Sequence, residues 1–216
     1  MDLLKAHGLI FGTSICYTRN NVDVVSSDEF LDLIIEKGCR FTWYFHYMPV
    51  GNDAATELAP HSGTEGIYVP QVREIRAKEG GKPIFAMDFQ NDGGYVGGCI
   101  AGGRFYCHIN PNGDMEPVCL SIIRMPIYTI TPCLNVFSSP FQAYRRGQPF
   151  NENHLRPCPM LENPECLKAM VEETGARSTD LQSPESAEHL CEKCMPYAKD
   201  WKDKADELWE NRKSRG

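Results

Sequence analysis

The sequence lacks any long apolar run and any excess of positive charge. No stretch approaches the roughly 18 consecutive apolar residues that cross a bilayer, although 42% of the residues are hydrophobic. Lysine and arginine number 22 against 29 aspartates and glutamates, which gives a formal net charge of −7. Non-specific nucleic-acid binding depends on basic patches that neutralise phosphates. We therefore expect neither a membrane nor a nucleic acid as a partner.

The first residues also lack the features of an export signal. The start, MDLLKAHGLIFGTS, contains no basic n-region and no cleavage site. We therefore expect a cytoplasmic protein, in a compartment that keeps thiols reduced. Ten cysteines in 216 residues is a high number for such a protein. Because disulfides explain them poorly, they indicate a metal, most often zinc or an iron–sulfur cluster, with several left as ordinary core residues.

The first 90 residues alternate between predicted strands and predicted helices. The strands are 8–18, 39–51 and 82–89, and the helices are 26–38 and 70–81. Ser26 and Glu29 form a capping box at the start of the first helix. Pro70 stands at the first position of the second helix. This order favours parallel strands covered by helices, which is an α/β arrangement.

The pattern changes after residue 90. Residues 104–117 predict a β-hairpin around an Asn-Gly-Asp turn. Two helices follow, one at 163–176 and one that begins at Ser183-Pro184 and carries a single apolar stripe. We therefore divide the chain into residues 1–90 and residues 91–216.

Three cysteines are the candidate metal ligands. Cys99 lies among glycines, which leave room for a bound group. Cys119 ends the predicted hairpin, and Cys158 lies in a rigid Pro-Cys-Pro loop. The alternative is that these are three unrelated buried thiols.

Most of the other cysteines and the histidines in the strands are predicted to be packed residues and not metal ligands. Cys191 and Cys194 form a CxxC pair, which is weak on its own, and Cys194 lies on the apolar stripe of the last helix. Structural, packed positions are likewise expected for four residues in or beside strands: Cys16, Cys39, His46 and His108. Cys107 alternates along the hairpin strand and is expected in packing or at the surface.

Three segments together resemble a known family. They are GGCIAGGRFYCHINPNGDMEPVC at 97–119, SPFQAYRRGQPFNENHLRPCPMLENPE at 139–165 and WYFHYMPVG at 43–51. They resemble the C-terminal half of radical S-adenosylmethionine (SAM) proteins that carry a SPASM or twitch-like extension. The resemblance covers nearly the whole chain.

The resemblance implies a fold. Residues 8–21 look like the fifth strand of a partial (β/α)6 radical SAM barrel, and residues 41–51 look like the sixth. Residues 1–90 would then be the C-terminal strands and helices of that barrel. Residues 91–216 would be a small α+β SPASM-like domain with a β-hairpin and C-terminal helices.

The resemblance also implies binding residues. Residues 43–48 would line the substrate side of the barrel. Four residues would contact SAM: Ser14, Thr18, Asn21 and Tyr47. An auxiliary [4Fe-4S] cluster would be held by Cys99, Cys119 and Cys158, with a fourth ligand unassigned.

The activity implied is that of a radical SAM enzyme. In the intact protein a reduced cluster would cleave SAM to a 5′-deoxyadenosyl radical, and the auxiliary cluster would anchor substrate or pass electrons. Expected partners are a peptide, protein or small-molecule substrate and an electron donor such as a flavodoxin or ferredoxin. Two alternatives remain open: a non-catalytic zinc-stabilised binding module, and an inactive product of a frameshifted or truncated gene.

Two departures from the family pattern bear on activity. The family's CxxxCxxC motif is absent, and Met1 falls just ahead of the fifth strand, so we expect an inactive C-terminal fragment. Residues 118–139 also differ from related proteins, which read EPC and then a stretch like HYSDxNI. When the possible codons of residues 120–128 are read in a shifted frame, they can encode Phe-His-Tyr-Ser-Asp-Ala-Asn-Ile. This match favours a local frameshift. That interpretation casts doubt on Cys119 as a ligand and makes Cys133 an artefact.

Overall fold

The three predicted strands form one parallel sheet. The computed structural model describes residues 1–77, 79–101, 104, 106–110, 115–116 and 139–213. Within them, β1 spans Gly12–Tyr17, β2 spans Phe41–His46 and β3 spans Phe85–Asp88. The strands lie in the order β1-β2-β3, and both pairings are parallel. This confirms a mixed α/β chain with a parallel sheet.

Helices precede, separate and follow these strands. In the first half they are α1 (Asp2–Ala6), α2 (Val22–Val25), α3 (Asp28–Glu36), α4 (Ser62–Ile75) and α5 (Gly93–Val96), with a short 3-10 turn at Thr56–Leu58. Strands β4 (His108–Ile109) and β5 (Met115–Glu116) follow, and then helices α6 (Ser139–Gly147), α7 (Pro164–Thr174) and α8 (Ala187–Lys213).

One face of the parallel sheet belongs to the hydrophobic core. Tyr17 on β1 and Tyr44 on β2 are fully buried in one cluster with apolar residues of α3, α4 and α8. The same cluster includes Leu155, Leu161 and Trp201 from the second half of the chain. Both halves of the sequence therefore contribute to one core.

The opposite face of the sheet is less covered. Trp43 and Phe45 have ring centroids 5.1 Å apart, and Phe45 stacks on Phe89 at 5.3 Å. Phe85 is 64% exposed. Cys16 is also exposed, so the packed position that the sequence predicts for it is wrong, because this face of β1 is not covered. Because parallel sheets are normally covered on both faces, these aromatic side chains are unusually accessible.

Helix α3 begins two residues later than the sequence predicts, so the capping box at Ser26 is wrong. Ser27 is the N-cap, and its hydroxyl accepts a hydrogen bond from the amide of Phe30 at 3.2 Å. The hydroxyl of Ser26 instead donates to the carbonyl of Val22 at 2.7 Å, because Ser26 ends the preceding helix α2. The predicted glycine after the helix is confirmed, since Gly38 adopts a φ of +98°.

Helix α4 begins at Ser62 rather than at Pro70, which lies inside it. The imidazole of His61 caps the helix by accepting from the amide of Thr64 at 3.3 Å. Tyr68 is fully buried in the core. The two glycines at 63 and 66 have low helix propensity, and tertiary packing of the buried side chains overrides it.

In the second half the predicted antiparallel pairing and the helix near 163–176 are confirmed, whereas α8 begins at Ala187 and not at Ser183-Pro184. Strands β4 and β5 pair antiparallel with His108 opposite Glu116, whereas the predicted turn at 111–114 lies outside the described residues. Helix α7 begins with a proline at its first turn and ends before Gly175, whose φ is +66°. The apolar stripe of α8 is buried, and its buried members include Leu190, Cys194, Tyr197, Trp201 and Ala205.

Helix α8 is long, but its solvent-facing side is charged. It carries 27 residues with Pro196 in its interior. None of the helices in the described ranges is both long enough and apolar enough to cross a membrane.

Candidate functional site

All three parallel strands end in a buried polar side chain. Tyr17, His46 and Asp88 are the last residues of β1, β2 and β3, and each is at most 3% exposed. Tyr17 and His46 are direct neighbours in the register. Ligands of α/β proteins bind beyond the carboxyl ends of parallel strands, so this edge of the sheet is the candidate site.

A buried ion pair joins this edge to helix α4. The Nε2 atom of His46 lies 3.0 Å from Oε1 of Glu65, and neither side chain is accessible to solvent. The hydroxyl of Tyr17 donates to the same carboxylate oxygen at 3.3 Å. Burial opposes the charged imidazole, but the Glu65 carboxylate outweighs burial and raises the pKa of His46.

Asp88 is the second buried carboxyl of the site. Its Oδ1 accepts from the backbone amides of Gln90 and Asn91 at 3.2 Å each, and its Oδ2 accepts from the Asn91 side chain at 2.9 Å. Burial, reinforced by the charge of Glu65, raises the pKa of Asp88 to about 7. The carboxyl group therefore retains its proton over most of the acidic pH range.

This retained proton predicts a stability that falls with rising pH. The pKa of Asp88 is higher in the folded chain than in the unfolded chain, so folding becomes less favourable as pH rises from about 4 to about 7. The slope from this group approaches about 1.4 kcal/mol per pH unit. We expect Asp88→Asn, which mimics the protonated group, to reduce the slope by about this amount in urea unfolding measured between pH 4 and pH 7. The buried Glu162, whose pKa is raised to about 8, keeps its own contribution to the decline.

Asp53→Asn is the control, because Asp53 is exposed. Its profile should keep the native slope, since the substitution removes an exposed carboxyl without changing a buried group. An unchanged slope in Asp88→Asn would contradict a buried, protonated carboxyl. The His46–Glu65 pair adds a separate decline above about pH 6.5 that both variants should retain.

The third buried carboxylate holds the loop that carries Cys158. Oε2 of Glu162 accepts from the backbone amide of Cys158 at 2.7 Å, and Oε1 accepts from the side chain of Gln90 at 2.6 Å. Gln90 lies just beyond β3, so Glu162 connects the Pro-Cys-Pro loop to the carboxyl edge of the sheet. Burial raises the pKa of Glu162 to about 8.

Cys99 approaches Cys158 from the other side. Cys99 follows α5 after Gly97 and Gly98, which adopt φ values of +72° and +117° that other residues rarely tolerate. Arg104 donates to the carbonyl oxygen of Cys99 at 3.1 Å and holds this turn. The structure thus brings together two thiols that are far apart in the sequence.

The segments that carry the two thiols pack together. The side chain of Gln148 donates to the carbonyl oxygen of Ala101 at 3.2 Å, and a Cβ at Gly93 would clash with the carbonyl oxygen of His154.

Burial raises the pKa of Cys99 to about 11. Burial, Glu162 and the charge of Cys99 all raise the pKa of Cys158. Both thiols also raise the pKa of the buried Tyr144 on α6. The metal-free thiols are therefore protonated at neutral pH.

Backbone amides partly offset this burial. The amide of Leu161 donates to the sulfur of Cys158 at 3.4 Å. Hydrogen bonds from the backbone at Ala101 and Met160 also favour the thiolates of Cys99 and Cys158, respectively. Amides directed at sulfur stabilise bound thiolates in iron–sulfur sites.

The remaining predicted ligand and the other thiols lie elsewhere. Cys119 lies outside the described residues. Among the residues that are described, no three His, Cys, Asp or Glu side chains form a group arranged to hold a metal ion. Cys191 and Cys194 are buried on α8 and Cys39 is buried beside β2, as expected for core thiols.

The predicted SAM-binding residues lie along β1 and at its carboxyl end. Ser14 is exposed in the middle of β1. Thr18 and Asn21 form a turn directly after β1, in which the Asn21 side-chain oxygen accepts from the Thr18 amide at 2.7 Å. The Tyr47 amide donates to the carbonyl of Tyr17 at 2.9 Å. Three of the four residues thus lie at the same sheet edge as the buried polar groups.

A cleft of about 640 Å³ opens beside this edge, between the 56–61 loop and α8. Arg19, His61 and Tyr197 are among its lining residues, whereas Cys99 and Cys158 are not. The thiol pair and the cleft are therefore separate features of the same end of the sheet.

Sequence reasoning missed three acidic residues of this site: Glu65, Asp88 and Glu162. Asp88 is the last residue of an apolar strand, and a carboxyl group at that position could have been recognised from the sequence as a candidate site residue. Glu162 follows Cys158 by four residues within a predicted loop. Glu65 lies in a glycine-containing stretch that gave no indication of a buried helix.

Comparison with known proteins gives no further assignment. No protein-family model, no curated protein and no solved structure matches this chain.

Proposed function

We propose that this chain is the C-terminal portion of a radical SAM enzyme that binds an auxiliary [4Fe-4S] cluster. Cys99 and Cys158 are the ligands that the proposal relies on, with Cys119 as a third. The observation that carries the proposal is the packing of the segment of half-buried Cys99 against the segment of buried Cys158, beside the carboxyl edge of a parallel sheet.

The residues present fit such a cluster. The sulfur of Cys158 receives a hydrogen bond from the amide of Leu161, and Glu162 fixes the loop of Cys158 through that residue's own amide. The turn before Cys99 depends on positive φ angles at two glycines. A chain with merely buried thiols has no need for these supports, so they favour a bound group.

The sheet supports the barrel portion of the proposal. Three consecutive parallel strands with intervening helices are the repeating unit of (β/α) barrels. The partly exposed face with Trp43 and Phe45 corresponds to the interior of such a barrel, which side chains or a ligand normally fill. Residues 41–48 would thus contribute to the SAM and substrate pocket.

The chain's own residues would bind and orient the groups. Thr18 and Asn21 form a fixed polar turn at the end of β1, suited to a sugar or carboxylate. Glu162 would hold the Cys158 loop in place, and the buried ring of Tyr144 would shield the site from water. When bound, the auxiliary cluster would supply electron transfer or a substrate anchor.

Anaerobic reconstitution tests the proposal. We expect the chain, incubated with ferrous iron and sulfide, to take up at most about four irons per molecule and to develop the visible absorbance of one [4Fe-4S] cluster. We expect no 5′-deoxyadenosine from SAM under reducing conditions, because the CxxxCxxC motif is absent from the sequence.

The alternatives predict other results. Stoichiometric zinc binding with rejection of iron and sulfide would identify a zinc-stabilised module instead. Failure to bind either metal, with a folded chain, would favour an inactive gene product. SAM cleavage above a no-protein control would show that the radical-generating site lies in this chain.

A further inference from the structure

Two arginines lie over the exposed ring of Tyr95, four residues before Cys99, and a third arginine lies on the neighbouring turn of α4. Tyr95 lies on α5 and is 65% exposed. The guanidinium of Arg212 lies 4.7 Å from the centroid of its ring, and that of Arg76 lies 5.9 Å from it.

Arg73 lies one helical turn before Arg76 on α4, which packs alongside α8: the Ser62 amide donates to Asp200 at 2.6 Å, and Gly66 faces Lys204. The same offset along the two helices brings Arg73 beside residues 211–212. The chain as a whole is acidic, so this concentration of positive charge is a local exception.

Aromatic rings, and not carboxylates, hold Arg212 in place. Its guanidinium lies against Tyr95 and also 5.4 Å from the centroid of Trp209. A Cβ atom at Gly94 would fall on Nη1 of Arg212, so glycine at this position makes room for the guanidinium. Cation–π contacts leave the N–H donors of the guanidinium unused.

Arg73 is half-buried beside a like charge. Burial and the charge of Arg212 both lower the pKa of Arg73. By contrast, Arg76 is neutralised by Asp92, with contacts of 2.6 Å and 2.9 Å. Over the ranges that the structure describes, neither Arg73 nor Arg212 forms an ion pair with a carboxylate.

We propose that Arg73 and Arg212 form a binding site for the phosphate group of a phosphate monoester. Two adjacent guanidiniums without carboxylate partners match the double charge of a phosphate and present forked donors to its oxygens. A carboxylate would neutralise only one of them. The exposed ring of Tyr95 offers a stacking surface for the organic part of the ester.

Calorimetric titration of the full chain at constant ionic strength tests the site. The probes are inorganic phosphate, phenyl phosphate and acetate. We expect phosphate to bind, phenyl phosphate to bind more tightly, and acetate to bind at least about tenfold more weakly than phosphate. Tyr95→Ala should remove the advantage of phenyl phosphate over phosphate.

Charge-matched variants separate a defined site from general positive charge. Arg73→Gln and Arg212→Gln should each weaken phosphate binding about tenfold, whereas Arg177→Gln, at an exposed position, should have no effect. Gly94→Ala keeps the net charge but displaces Arg212, and should also weaken binding. Near-ultraviolet circular dichroism checks that each variant is folded.

Several outcomes would overturn the proposal. They are the absence of phosphate binding by the native chain, equal binding by all three arginine variants, and acetate binding as tight as that of phosphate.

Discussion

Replacing Glu65 with leucine should lower the free energy of unfolding by about 3–5 kcal/mol. The substitution leaves the imidazole of His46 buried without its counter-ion and removes the acceptor of the Tyr17 hydroxyl. An unpaired charge in the core costs far more than the pair itself contributes. Urea unfolding at neutral pH, followed by circular dichroism, measures the loss.

Two further variants show whether the cost comes from the unpaired partner. The double substitution His46→Leu and Glu65→Leu removes both charges and should recover much of the lost stability. Glu188→Leu disrupts an exposed contact with Lys168 and should change stability little. A Glu65→Leu variant as stable as the native chain would contradict a buried ion pair at this position.

Replacing Cys99 or Cys158 with alanine should abolish cluster uptake. Each substitution removes one of the two thiols that approach each other at the sheet edge, and an incomplete ligand set does not retain a [4Fe-4S] cluster. Iron content and visible absorbance after anaerobic reconstitution measure the loss. The frameshift proposed for residues 118–139 could itself prevent cluster binding. The same substitutions are therefore also made in a second chain, in which this segment is replaced by EPC and the stretch that follows it in the related family.

Cys191→Ala is the matched control for this experiment. Cys191 is buried like Cys158 but lies on α8, away from the thiol pair. Uptake should remain largely intact in this variant. If Cys99→Ala still takes up a [4Fe-4S] cluster, the auxiliary-cluster assignment is rejected, because the cluster is then held by other residues.

Local patterns predicted the order and type of most elements. Alternating strands and helices indicated the parallel sheet, and Asn163 and Gly175 bracketed α7 as the structure has it. Such signals depend on neighbouring residues alone. The start of α4 was wrong because its helical state depends on packing of Tyr68 against the sheet, which outweighs the proline and glycines within it.

The candidate site was only partly predictable for the same reason. The glycines before Cys99 and the prolines beside Cys158 marked both loops in the sequence. The support that Glu162 gives to one loop, and the ion pair of Glu65, arise between distant segments. A buried carboxylate and an exposed one have the same sequence signature, so only the fold distinguishes them.

The shared core has a consequence for synthesis. Tyr17, near the start of the chain, lies in the same buried cluster as Trp201, near its end. A ribosome releases the N-terminal strands long before α8 emerges, so the tyrosines of the nascent sheet stay uncovered during most of translation. Residues 1–90 therefore do not complete a core of their own while the chain is being made. This core closes only when α8 docks on the sheet.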